Sequence, residues 1–116
     1  MANPERLEQF KICVHLDEEY PDALYTSSIA GLKLPKHLGA QLSQAGYRRG
    51  TSDLMIFEAR HGYHALFLEV KTLTGKPSDD QLEFQQLSRD RGYKYEFCYG
   101  REEGIKIIDE YLGGVA

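Results

Sequence analysis

Two runs of sequence decide the fold: Gly50-Thr-Ser-Asp-Leu-Met-Ile-Phe57 and, after a short turn, Ala65-Leu-Phe-Leu-Glu-Val-Lys-Thr72. Leu54 to Phe57 and Leu66 to Val70 are nearly continuous apolar stretches, the pattern of strands buried on both faces. Between them Arg60-His-Gly-Tyr63 reads as a hairpin connection with Gly62 at the turn. Asp53 opens the first strand. Glu69 and Lys71 stand two apart on the second, so the strand period of two turns both to one face and Val70 to the other.

Outward from this hairpin, the rest of the chain supplies cover. Asn3 can cap a helix with Pro4 at its first position, and Leu7, Phe10 and Val14 recur at helical spacing up to about Tyr20 and Pro21. Ala23 to Ser28 reads as a short strand and Gly31 to Leu34 as a loop. A second helix starts near Pro35, turns Leu38 and Leu42 inward and stops at Gly46. Beyond the hairpin, Gly75-Lys-Pro77 makes a loop, and Ser78 starts a helix that ends at Gly92. Tyr93 to Tyr99 alternates as a strand. A closing helix from about Arg101 to Leu112 carries Ile105, Ile108 and Leu112 on one side. Strands apolar on both faces need cover on each, so this order predicts an α/β fold with a central mixed sheet flanked by helices on both faces.

At 116 residues the chain is the size of a single domain, residues 1–116, with room for one active site. Its composition, 41% hydrophobic and 28% charged, is that of a globular chain rather than a disordered one. The N-terminus has neither the basic nor the apolar region of a signal peptide. No apolar run approaches the roughly 20 residues that span a bilayer, and a cytoplasmic protein is expected. Cys13 and Cys98 are isolated, form no CxxC pair, and read as small core residues.

The formal net charge of −4 argues against nucleic-acid binding by bulk charge. It leaves room for a metal-dependent nuclease, whose carboxylates are offset by the cations they hold. Lys33, Lys36, Arg48, Arg49, Lys71 and Lys76 lie around the acid-bearing segments and could form a positive rim.

The chemistry turns on Asp53, Glu69 and Lys71. A bare Glu-x-Lys is usually a same-face ion pair, and an Asp at a strand start usually caps a turn. Here the charges are embedded in Leu-Phe-Leu-Glu-Val-Lys, on a strand that otherwise reads as buried, where charges require partners. A divalent cation held by Asp53, Glu69 and the Val70 carbonyl satisfies them, with Lys71 placed to serve a water and stabilise charge at phosphorus. A sugar or nucleotide hydrolase using Asp53 and Glu69 as an acid/base pair leaves Lys71 unexplained. His61 and His64 flank the turn without further ligands and read as surface residues. Gly75-Lys76 lacks the earlier glycine of a phosphate-binding loop.

Asp53, the hairpin, Glu69-Val-Lys71 and then Ser78-Asp-Asp-Gln81 at a helix start together resemble the PD-(D/E)xK nuclease superfamily. Within it they resemble the virus-type replication-repair nuclease family, VRR-NUC. The resemblance covers nearly the whole chain and is most specific from Gly50 to Gln81. It implies a restriction-endonuclease-like core, with Asp53 and Glu69 as metal ligands, Lys71 as the catalytic lysine, and Gln81 near the water or phosphate. Ser78-x-x-Gln81 is equally a capping box, a purely structural reading of Gln81. The family also sets a glutamate of the first helix beside the metal; Glu5 and Glu8 are the candidates, and Glu8, nearer Leu7 and Phe10, is preferred. Ser52 stands where the superfamily name has proline.

The resemblance further implies a Mg²⁺- or Mn²⁺-dependent DNA endonuclease from a phage or bacterial replication and repair setting. Stand-alone members resemble Holliday junction resolvases, which makes branched DNA the expected substrate and a homodimer the expected state. The alternatives are a less selective nuclease or nickase, and a catalytically silent nucleic-acid-binding module of the same fold.

Overall fold

A computed structural model describes residues 4–29 and 34–113. The expected cap Asn3, loop residues Gly31 to Lys33 and the rim residue Lys33 lie outside the described residues. The elements run α1 (Pro4–Glu19), β1 (Tyr25–Ser27), α2 (Lys36–Gln44), β2 (Leu54–Ile56), β3 (Leu66–Lys71), α3 (Asp79–Asp90), β4 (Lys94–Tyr99) and α4 (Arg101–Ile108). A single π-helical turn, Asp109–Gly113, continues α4. Among the described residues no helix is long and apolar enough to cross a membrane.

The hairpin forms the middle of a four-stranded sheet of order β1-β2-β3-β4. β1 and β2 pair antiparallel, as do β2 and β3, while β4 lies parallel to β3 with Glu69 opposite Phe97 and Lys71 opposite Tyr99. His61 and Gly62, both at positive φ, make the tight turn that the hairpin needs, closed by the Arg60 to Tyr63 bridge.

Strand alternation then sorts the two faces. Leu66, Leu68 and Val70 of β3 join Leu54, Ile56 and Cys98 in one fully buried cluster with Ile12 and Leu16 of α1, Ile108 of α4 and Tyr111. Gly104 eases this: a Cβ there would meet Ile12 Cδ1 at 2.5 Å, so a larger residue would require the Ile12 side chain to shift. α3 packs against β4 over the opposite face, where Phe67, Glu69 and Lys71 point and Tyr95 is buried. The mixed sheet with helices on both faces is therefore present.

Two helical faces differ from the sequence expectation. Leu7 and Phe10 of α1 are 48% and 58% exposed, and it is Ile12 and Leu16 that enter the core. Apolar side chains surround this helix, so spacing admits more than one stripe, and packing against α4 and β3 selects the one. α2 buries none of its residues completely; Leu38 and Leu42 are half-buried.

Candidate active site

The site is built where β2 and β3 stop pairing. The ladder ends at Leu54 opposite Leu68, and one residue further on each strand the side chains of Asp53 and Glu69 face each other. The Asp53 N–H donates to Glu69 Oε1 (3.1 Å) and the Val70 N–H donates to Asp53 Oδ2 (2.8 Å), so each carboxylate is fixed by the neighbouring strand's backbone or side chain. A residue's N–H and C=O point to the same side of a strand, so the Val70 carbonyl also faces the Asp53 side, where β2 offers it no ladder partner.

The backbone of Asp53 is pinned in turn. The Ser28 N–H donates to the Asp53 carbonyl (2.9 Å), the Ser28 hydroxyl to the Ser52 carbonyl (2.6 Å), and the buried Ser52 hydroxyl to the Leu54 carbonyl (2.8 Å). Ser52, in the place of the superfamily's proline, thus locks the strand start by a local hydrogen bond.

Lys71 is buried beside Glu69, Nζ to Oε2 3.8 Å. Gln81 caps a helix and also reaches the acid pair. Its Oε1 accepts the Ser78 N–H (2.9 Å) and its backbone N–H reaches the Ser78 hydroxyl (3.2 Å), completing the capping box. Because Ser78 N is a donor, the amide oxygen must face it, and Nε2 is left to donate to Glu69 Oε2 (3.0 Å). Gly50 brings α3 into this position: with φ at +91°, it lies where any Cβ would collide with the Asp80 carbonyl in the first turn of α3.

Burial dominates the electrostatics. It raises the Asp53 carboxyl pKa against the opposing effects of the Val70 N–H, the Glu69 side chain and Lys71. Glu69 is raised first by burial, then by the charge of Asp53, with Lys71 opposing. Two buried carboxylates face one lysine, so the cluster with both ionised carries a net negative charge. Two carboxylates and a backbone carbonyl are hard oxygen donors, and Mg²⁺ is commonly held by one or two carboxylates with water completing its shell. The residues present therefore fit a small divalent cation. Among the described residues no group of three or more His, Cys, Asp or Glu side chains gathers to hold a metal, so a third carboxylate is not part of the arrangement.

Of the two helix-one candidates, Glu8 accepts from Arg101 Nε on α4, across 93 positions of sequence, while the charge of Glu5 reaches Asp53. Tyr47 escaped the sequence reading. Burial raises the Tyr47 hydroxyl, and the charges of Glu69 and Asp53 add to it, which puts this ring within electrostatic reach of the pair. Tyr95 lies beneath them, its hydroxyl donating to the Gly50 carbonyl (2.8 Å). The only signal for Tyr47 was an aromatic residue just ahead of the glycine-led strand. In the expected rim, Arg48 pairs with Glu83 (3.3 Å) and Arg49 approaches Asp80 (3.9 Å), while Lys36 and Lys76 are exposed.

The VRR-NUC domain profile matches residues 3–102, most of the chain and all of this site. The chain belongs to the VRR-NUC family. That family is nuclease-type, and DNA is the substrate it implies. A solved "VRR_NUC domain protein" superposes with a TM-score of 0.80 at 21% identity, covering 97% of this chain and 91% of that one. A second, "VRR_NUC domain", gives 0.60 at 22% identity over 96% and 100%. At these identities the two structures speak for the VRR-NUC fold alone. Among curated proteins none matches the chain.

Proposed function

We propose that this VRR-NUC domain is a Mg²⁺- or Mn²⁺-dependent DNA endonuclease, with branched DNA such as a four-way junction as its preferred substrate and a homodimer as its working state. The observation that carries the chemistry is the buried meeting of Asp53, Glu69 and Lys71 at the end of the β2–β3 ladder, two acids to one base. Asp53, Glu69 and the Val70 carbonyl would hold the cation, with the Asp53 and Glu69 carboxylates fixed by hydrogen bonds from the Val70 N–H and from Gln81. A cation bound there supplies Lewis-acid stabilisation of the phosphate and makes water a better nucleophile.

The chain's own residues do the rest. Strand backbone and capping box fix both carboxylates before substrate arrives, so no reorganisation is required during the reaction. Lys71, held on the Glu69 side, positions or deprotonates the attacking water and offsets charge developing at the phosphate. The charge of Glu5 on helix one adds to the negative field at Asp53, which favours a bound cation. The branched-DNA and dimer parts of the reading rest on the family likeness. A chain with one site makes paired cuts only as a twofold pair.

The test incubates labelled four-way junction, flap, single-stranded and linear duplex DNA with Mn²⁺ or Mg²⁺, with and without chelator, beside Lys71→Ala. Metal-dependent cutting abolished by Lys71→Ala, with paired symmetric nicks in the junction, is the expected result. Cutting that survives Lys71→Ala sinks the mechanism. Equal cutting of linear duplex moves the specificity to a general nuclease, and absence of any cutting moves the protein to a binding module.

A further inference from the structure

On the same sheet face as the acid pair, a cavity of about 380 Å³ opens between α3, the strands and the segment ahead of Gly50. It is lined by Phe67, Phe84, Leu87, Ser88 and Tyr93 together with two arginines, Arg48 and Arg91. The volume is in the range of small-ligand pockets. Phe67 and Glu69 are two residues apart on one face of β3, which separates cavity and acid pair by roughly 6.6 Å. That is comparable to the step between neighbouring nucleotides of an extended strand.

The rings are arranged for a further planar group. Phe67 and Tyr93 lie stacked, centroids 5.0 Å apart and 15° from parallel, and both remain half-buried rather than sealed. Their backs are supported: His64 meets Tyr93 edge-on at 5.5 Å, and Phe84 leans on the buried Tyr95 at 6.0 Å. The charge of the arginines is available. Arg48 and Glu83 form an exposed pair, 61% and 67% accessible, and such pairs contribute little and exchange readily for a phosphate. Arg91 is anchored through Nη1 to the Leu87 carbonyl, which directs its guanidinium without spending it on an acid.

We infer that this aromatic cavity, one nucleotide step from the Asp53–Glu69 pair, receives an unpaired nucleobase of the DNA substrate while Arg48 and Arg91 hold its flanking phosphates. An aromatic lining accepts any base through its π face, and the arginines match the backbone charge. A paired base cannot enter, so the cavity favours DNA with an unpaired segment beside the cut. This inference rests on the nuclease reading and concerns branched DNA that carries an unpaired arm, such as a flap, rather than a fully paired four-way junction.

The test measures binding, by fluorescence anisotropy, of a labelled flap DNA and of the same flap with abasic sugars throughout its unpaired arm. Ca²⁺ replaces Mn²⁺ to prevent cutting, and each protein is also assayed for cutting with Mn²⁺. Wild-type protein is expected to bind the base-bearing flap about tenfold more tightly than the abasic one. Phe67→Leu, which keeps apolar volume, is expected to bind both equally, at the affinity wild type shows for the abasic flap; Tyr93→Leu serves the same purpose if Phe67→Leu does not fold. Equal wild-type affinities, or a tenfold preference that persists in the leucine variant, overturn the cavity proposal while leaving the nuclease reading intact. Failure of the wild-type protein to bind or cut any of these DNAs overturns both.

Discussion

The two faces of β3 answer different demands. Leu66, Leu68 and Val70 enter a dry cluster with α1 and α4, where burial is favourable residue by residue. On the opposite face, alternating with them along the same strand, Phe67, Glu69 and Lys71 meet α3 and the acid of β2. There burial opposes ionisation and is tolerated because hydrogen bonds meet every demand: among the described residues no buried side-chain nitrogen or oxygen lacks a partner. One face holds the fold together, and the other spends part of that stability on holding charges where water cannot screen them.

The comparison breaks most visibly in the core. Leu68→Ala is expected to cost about 2–5 kcal/mol in a denaturant titration, since Leu68 is fully buried between strand neighbours and helices. Its activity per folded molecule should stay near wild type. Lys71→Ala should do the reverse, lowering the cleavage rate by about 10²–10³-fold while leaving thermal stability close to unchanged. If Lys71→Ala unfolds the protein and Leu68→Ala does not, the division of labour between faces is wrong.

The acids sharpen the contrast through pH. Both Asp53 and Glu69 titrate above their ordinary values in the folded chain, so without metal the folded state binds more protons than the unfolded one. Stability should then fall as pH rises from about 4, the unfolded carboxylate range, through the raised folded values. A divalent cation takes the place of the protons. The gain in Tm on adding Mn²⁺ should accordingly be larger at pH 8 than at pH 5.5, and a gain independent of pH contradicts the assigned ligands.

The smallest expected effect separates the two roles of one residue. Ser78→Ala removes half of the capping box and should cost about 1 kcal/mol with little loss of activity. Gln81→Leu loses the cap by a similar amount but also releases Glu69, and about a 10–100-fold loss in metal affinity is expected with it. Equal metal affinity in the two variants reduces Gln81 to its structural role.

How much of this was legible in the sequence follows from how local each feature is. Asp53, Glu69 and Lys71 sit on two strands joined by a short turn, so period-two alternation alone brings them to one face, and Ser78 with Gln81 is a four-residue signature. The phase of α1 was not legible, because Leu7, Phe10, Ile12 and Val14 surround the helix and only its tertiary partners choose among them. The ion pair of Glu8 with Arg101, 93 residues away, was hidden for the same reason. Tyr47 and the aromatic cavity were hidden for a related reason. Their members come from an irregular segment, two strands and a helix, with no spacing in common.

Asp53 and Glu69 together are proposed to form a divalent-cation site. Calorimetric titration of the purified protein with Mn²⁺ tests it most directly, with Asp53→Asn and Glu69→Gln alongside. Saturable binding that weakens by at least about tenfold in each folded variant is the predicted result, and binding of equal strength in wild type and both variants contradicts it.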